Sequence, residues 1–261
     1  MNVVVCMKQV PESVTISGVP QGTASVRPQG KMVINPFDMY ALEEGIRLKE
    51  RYGGRVTAIS MGPAEAEEAL KEAIALGIGE AVLVCDPILE HSDTLATSYV
   101  LARCIERLER PDIVICGRQA TDGDTGQVAP QLAEQLGLPF LSYVSRIEDI
   151  SDGRLTAQRL VDEGHQVVQV SLPAVISVVK EINEPRLPSL RGLMQAKKAE
   201  IPRWTAPDLG LDVSKVGLDG SPTRVVNVFV PQRSQQGQML EGSPESQVDQ
   251  LLEKLRDAKV I

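Results

Sequence analysis

The chain has 261 residues, 43% of them hydrophobic and 24% charged, enough to bury a full core in one large domain or in one domain with an extension. A formal net charge of −8 argues against a non-specific nucleic-acid binder, which needs clustered Lys and Arg, and an aromatic content of 3% leaves few platforms for base stacking. No apolar run reaches the ~18 residues of a membrane-spanning helix, and MNVVVCMKQV opens as a strand and not as a secretory leader, so a cytoplasmic protein without a membrane span is expected.

Asn2 to Cys6 is a continuous apolar run, the pattern of a strand buried on both faces. Residues 13–30, rich in Gly, Pro, Ser and Thr, read as a hairpin or long surface loop. At Asn35-Pro36-Phe37-Asp38 a helix begins: Asn35 suits the N-cap, Pro36 the first turn and Asp38 the positive end of the dipole. It runs to about Arg51 and stops at Gly53-Gly54. A strand at 55–60, a helix at 63–76, a strand at 81–85, a helix at 92–110 capped by Ser92, a strand at 112–116 and a helix at about 126–136 follow. This alternation predicts an α/β fold with a doubly wound, mostly parallel sheet.

After Pro139 the pattern turns to strands, broken by Asp152-Gly153, Gly164 and Pro173, and an antiparallel extension of the sheet is expected there. In residues 183–198 two prolines keep the first half extended, while Leu187, Leu190, Leu193 and Met194 stand among charges; composition leaves a buried connector and a protruding partner segment equally open. Residues 205–261 are read as mostly loop, with a strand-like run at 224–230 and an amphipathic helix from about Pro244. So little periodicity predicts a C-terminal arm that lies across another surface. The domain division is therefore 1–204 and 205–261.

In an open parallel sheet, ligands bind beyond the carboxyl ends of the strands. Three segments leave strands there: Cys6-Met7-Lys8, Ser60-Met61-Gly62 and the stretch from Gly117. The last, Gly117-Arg118-Gln119-Ala120-Thr121-Asp122-Gly123-Asp124-Thr125-Gly126-Gln127-Val128, combines glycines for close approach with hydroxyl and amide donors at a helix start. An EF-hand fails, because the position after the second D-x pair is Gly126 and the twelfth is Ala133. There is no P-loop lysine, and Gly77-x-Gly79 lacks its third glycine at Val82. By spacing, a nucleotide-binding turn and an ordinary capped loop both remain.

Other chemistry is sparse. His91 and His165 are the only histidines, without a nucleophile elbow or metal-binding helix around them, and neither catalytic residues nor a metal site are expected. Cys6, Cys85, Cys104 and Cys116 show no C-x-x-C spacing and read as small buried thiols of a reducing compartment. A binding or carrier protein fits better than a hydrolase.

Several ordered motifs resemble the β subunit of the electron-transfer flavoproteins over essentially the whole chain: Val5-Cys6-Met7-Lys8-Gln9-Val10-Pro11, Ile34-Asn35-Pro36-Phe37-Asp38 with Glu43-Glu44, Cys116-Gly117-Arg118-Gln119-Ala120, and Asn183-Glu184-Pro185-Arg186 followed by Ala196-Lys197-Lys198. The resemblance implies a heterodimer with an FAD-bearing α subunit, onto which the arm at 205–261 wraps. It implies a nucleotide site at Cys6, Asn35 to Asp38, Met61 and Gly117 to Val128, and partner docking through Leu190 toward acyl-CoA dehydrogenases. The loop Asp122-Gly123-Asp124-Thr125-Gly126-Gln127-Val128 resembles the D-G-D-T-x-Q-V of the electron-bifurcating branch, apart from Gly126 where alanine is usual. That branch implies FAD in this subunit, reduced by NADH. The ordinary branch, with D-D-D-x-N-Q-T-G, would instead imply structural AMP. A stand-alone adenine-nucleotide-binding stress-type protein is a further alternative, but it needs neither the tail nor the 183–198 segment.

Overall fold

The computed structural model describes residues 1–12, 31–226 and 237–261. The apolar runs become the strands β1 (Asn2–Cys6), β4 (Arg55–Met61), β5 (Glu80–Val84), β6 (Ile113–Gly117) and β10 (Ala174–Val178) of one sheet. They lack alternation because helices cover both of their faces. Toward one face α1 (Pro36–Tyr52) and α2 (Glu67–Leu76) pack on Val3, Val5, Ile115 and Ile176; toward the other α3 (Thr94–Arg107) and α4 (Val128–Leu136) pack on Val4, Cys6, Val114 and Val175.

The sheet runs β11-β5-β4-β1-β6-β10-β7-β8-β9, with β7 (Phe140–Ser151), β8 (Arg154–Val161), β9 (Gly164–Ser171) and β11 (Arg203–Trp204). Only β7–β8 and β8–β9 pair antiparallel in it. The expected antiparallel extension is thus narrower than the sequence pattern suggested. β10 inserts parallel between β6 and β7, so both the start of β7 and all of β10 belong to the parallel sheet. β7 is long enough to run past the parallel strands and carry the β8–β9 hairpin, whose turn uses Gly164 at φ 136°. A second, two-stranded sheet pairs β2 (Gln9–Pro11) with β3 (Met32–Ile34). The hairpin or loop expected at 13–30 lies outside the described residues.

Local boundaries shift where a better capping group exists. α3 starts at Thr94, not Ser92, because Asp93 accepts hydrogen bonds from the Leu95 and Ala96 N–H groups, whereas the Ser92 hydroxyl donates to Leu89 O at 2.7 Å. Residues 183–189 carry neither helix nor strand, with Asn183 and Ser189 at their ends in extended backbone, and then Ser189 caps a helix the sequence pattern did not announce, α5 (Leu190–Lys198). It packs against α2 through Gly192, where a Cβ would stand 3.0 Å from the Ala75 carbonyl carbon.

Residues 203–226 lie on the sheet unit. β11 pairs with β5, the Ala206 N–H donates to Asp86 at 3.0 Å, and Ala206 and Val216 are buried. The compact unit extends through Val226. Of the strand expected at 224–230, residues 224–226 carry no strand and the rest lie outside the described residues. The chain ends in a second unit, whose described part holds α6 (Pro244–Asp257), begun by Ser243 and Pro244.

Ile115 is fully buried in β6 between these layers. Ile115→Val removes one methylene, and a loss of about 0.5–1.5 kcal/mol in urea unfolding is expected; a larger loss would mean that the strand under the cleft cannot relax.

Candidate functional site

The site forms where β1 and β6 end beside the start of α1. In-register pairing sets Cys6 against Cys116, both buried, so the next residues, Met7-Lys8 and Gly117-Arg118, leave the sheet side by side. Gly117 lies against the first turn of α1. A Cβ there would collide with the Asp38 carboxylate and stand 2.7 Å from the Phe37 carbonyl carbon and 2.9 Å from Asp38 N. Gly117→Ala is therefore expected to cost about 1–3 kcal/mol by overpacking and to separate α1 from the loop; urea unfolding and a nucleotide titration would register both.

Asn35 holds the N-cap position of α1 but makes no side-chain cap, unlike the role its sequence position suggested. It is 1% exposed, its Nδ2 donates to Gln119 O at 2.8 Å, and its Oδ1 accepts the Thr121 N–H at 3.2 Å. The carboxamide thus fastens the loop to the helix start through two backbone groups of the loop. Asp38 is also buried and accepts the Lys8 N–H at 2.8 Å. Burial pushes its carboxyl up to about 7, against the lowering effect of hydrogen bonds from Lys8, Asn35 and Gly117.

Lys8 reaches across the cleft, its Nζ 2.6 Å from Asp122 Oδ2. The loop then tightens: the Asp124 N–H donates to Ala120 O at 2.8 Å, Gln119 donates to the Asp124 carboxylate, and Asp124 and Gly126 take φ of 54° and 63°. Both aspartates are therefore engaged in holding the loop. Over Gly123 a Cβ would meet nothing within 4 Å. The Thr125 hydroxyl accepts the Gln127 N–H at 3.4 Å, and Gln127 begins α4 with no side-chain cap. The N–H groups of Val128 and Ala129 are thus left to solvent or a ligand at the positive end of the helix.

Of the remaining sequence candidates, Pro36 is exposed and Phe37 half-buried in the first turn of α1. Met61 ends β4, two strands from β6 and the loop with β1 between, and packs toward the α3 face. Leu190 begins α5, on another element, and is 83% exposed. The partner of Lys8 and the part played by Tyr143 escaped the sequence reading. Lys8 pairs with Asp122 over a separation that no local pattern reveals. Tyr143 of β7 lies under Arg118, whose guanidinium carbon is 5.0 Å from the ring centroid.

The cleft offers backbone N–H groups, hydroxyls, amides and two cations, with open room over Gly123. These suit an anionic nucleotide, and the fit rests on the uncapped start of α4 together with that room. The two histidines take no part: His91 lies in the turn before α3 and His165 on β9, both exposed.

The model of the electron transfer flavoprotein domain matches residues 23–209. An electron transfer flavoprotein subunit beta from Thermoanaerobacterium thermosaccharolyticum is 42% identical over 262 residues, covering 100% of both chains. The protein of the same name from Megasphaera elsdenii is 40% identical over 271 residues, again with 100% of both covered. The caffeyl-CoA reductase-Etf complex subunit CarD of Acetobacterium woodii is 37% identical over 263 residues and 100% of both chains.

Proposed function

The chain belongs to the electron transfer flavoprotein family as a β subunit, and from that premise we propose that it holds FAD along residues 117–128, accepts reducing equivalents from NADH there, and passes single electrons to the FAD of an α subunit and to a low-potential acceptor. A β subunit implies an α-subunit partner. Bound flavin supplies the conversion between two-electron and one-electron chemistry, which no side chain of the chain provides.

FAD is favoured by the loop sequence Asp122-Gly123-Asp124-Thr125, in which Gly123 is exposed and leaves room beside the left-handed Asp124 and Gly126. A diphosphate needs that room beyond the point where a monophosphate ends. The chain's own part is to place the nucleotide. Asn35 and Asp38 set the height of the loop, Lys8 holds Asp122 aside, and the first N–H groups of α4 meet negative charge.

An acyl-CoA-type oxidoreductase as redox partner is supported by the relative named for a caffeyl-CoA reductase complex and by the exposed Leu187 and Leu190, 88% and 83% accessible. The alternative, supported by the same helix start, is structural AMP in this subunit, with no electron passing through it.

Co-expression with the α subunit, followed by flavin and nucleotide counting and addition of NADH, tests the reading. Two FAD per heterodimer, both bleached by NADH, are expected. One FAD with extractable AMP would replace the reading by its alternative, and a stable monomer loaded with ATP would point to a stand-alone sensor.

A further inference from the structure

Tyr143 takes φ of 56°, the left-handed region that a bulky side chain enters only against steric resistance. The surrounding strands enforce it. The Tyr143 N–H donates to the hydroxyl of Ser177, a buried residue of β10, at 3.1 Å. The β7–β10 register slips between Ile176 and Val178, and the β7–β8 register slips between Val144 and Arg146. Such a bulge re-aims a side chain. Register also fixes its height: Val144 pairs with Val178 and Val178 with Gly117, so Tyr143 stands level with the start of the loop, one strand beyond β10. Its ring lies 5.0 Å from the Arg118 guanidinium carbon, so the two side chains meet across the end of β10. Glycine would adopt this backbone without strain, and a tyrosine is held there instead.

We infer that Tyr143 is a positioning residue of the nucleotide cleft, its ring holding the Arg118 cation beside the loop as a preorganised partner for the nucleotide phosphates. This rests on the nucleotide reading above. Arg118 is exposed and follows the tightly packed Gly117, so without the ring its long side chain would sample many rotamers, and binding an anion would have to order it. Stacked on the ring, the guanidinium keeps its planar donors free for phosphate oxygens. The site would then contain a specificity element from β7, an element outside the binding loop and remote from it in sequence.

The test is FAD and AMP titration of the nucleotide-depleted heterodimer, comparing wild type with Tyr143→Phe, Tyr143→Gly, Arg118→Ala and the Tyr143→Gly/Arg118→Ala pair. Tyr143→Phe keeps the ring and is expected to bind within about twofold of wild type. Tyr143→Gly and Arg118→Ala are each expected to weaken binding about 3- to 30-fold, the range of a cation–π contact, and the double variant no more than Arg118→Ala alone. Glycine relieves the left-handed strain and so offsets part of the packing lost with the ring, which is 39% exposed; retained riboflavin binding by Tyr143→Gly shows that misfolding does not explain the loss. Riboflavin, which lacks phosphate, should be indifferent to all four. Wild-type binding with an unaltered Tyr143→Gly affinity, or additive losses in the double variant, would overturn the inference alone. Absence of nucleotide binding by wild type would remove the nucleotide reading and this inference with it.

Discussion

Arg186→Ala is expected to destabilise the chain by about 3–5 kcal/mol and to free the segment leading into α5. Glu43 is only 3% exposed on α1, and Arg186 meets it with Nε at 2.8 Å, Nη2 at 3.1 Å and its own backbone N–H at 3.2 Å. The same guanidinium donates to Glu50 at 2.6 and 3.0 Å. Without it the buried carboxylate keeps only Arg47, at 2.7 Å, and the backbone N–H of residue 186. Burial raises the Glu43 pKa, but the bonds from Arg186 and Arg47 outweigh that and hold it below the usual carboxylate value. The stability it contributes is therefore present above the ordinary Glu pKa and lost as pH falls through the lowered one.

Arg186→Lys should recover only part of the loss, since an ammonium cannot span two carboxylates with a planar fork. A Glu43→Leu/Arg186→Met double variant should recover more, because the charge that needs compensation is gone. Urea unfolding gives the free energies, and hydrogen exchange at residues 190–198 reports the release of α5. A loss below about 1 kcal/mol for Arg186→Ala would show that Arg47 and the residue 186 backbone N–H suffice for Glu43.

The parallel sheet was legible because its strands are short, wholly apolar and separated by capped helices, a pattern that few other folds produce. The placement of β10 was half legible. Ala174-Val175-Ile176-Ser177-Val178 carries no alternation, a sign of burial on both faces, yet its insertion between β6 and β7 depends on pairings that sequence adjacency conceals. α5 is short and contains Gly192, so its periodicity was weak; the Ala75 carbonyl packed against that glycine accounts for its presence. Within the site, the loop was legible as a strand-to-helix turn rich in glycine. Its fastening was not, because Asn35 serves residues 119 and 121 instead of its own helix, and Lys8 finds Asp122 across the sheet. Backbone strain at Tyr143 has no local sequence signal at all.

Asp38 should make folding depend on pH in a direction opposite to Glu43. Its carboxyl is raised from 3.8 to about 7, chiefly by burial, so between those values the folded chain holds a proton that the unfolded chain releases. Stability linked to this group is greatest below about pH 4, falls as pH rises, and reaches its floor above about pH 7. A shift of about 3 pKa units corresponds to a change on the order of 4 kcal/mol. The groups facing the carboxyl are the Lys8 N–H and ammonium, the Asn35 side chain, the Gly117 N–H and the Cys6 thiol, and Lys8 is itself drawn toward Asp122. Asp38→Asn carries no proton to lose, so the free-energy difference between variant and wild type should rise with pH by about that amount between pH 4 and 8. A constant offset from the lost N–H acceptor is superimposed and does not affect the slope. Urea unfolding across that range, with the carboxyl followed by isotope-edited infrared, separates the two contributions. Parallel curves would mean that Asp38 ionises at an ordinary pKa and that the floor of the cleft carries negative charge throughout. If instead the slope is found, the floor turns negative only above about pH 7, and nucleotide phosphates should bind more weakly on the alkaline side for that reason alone.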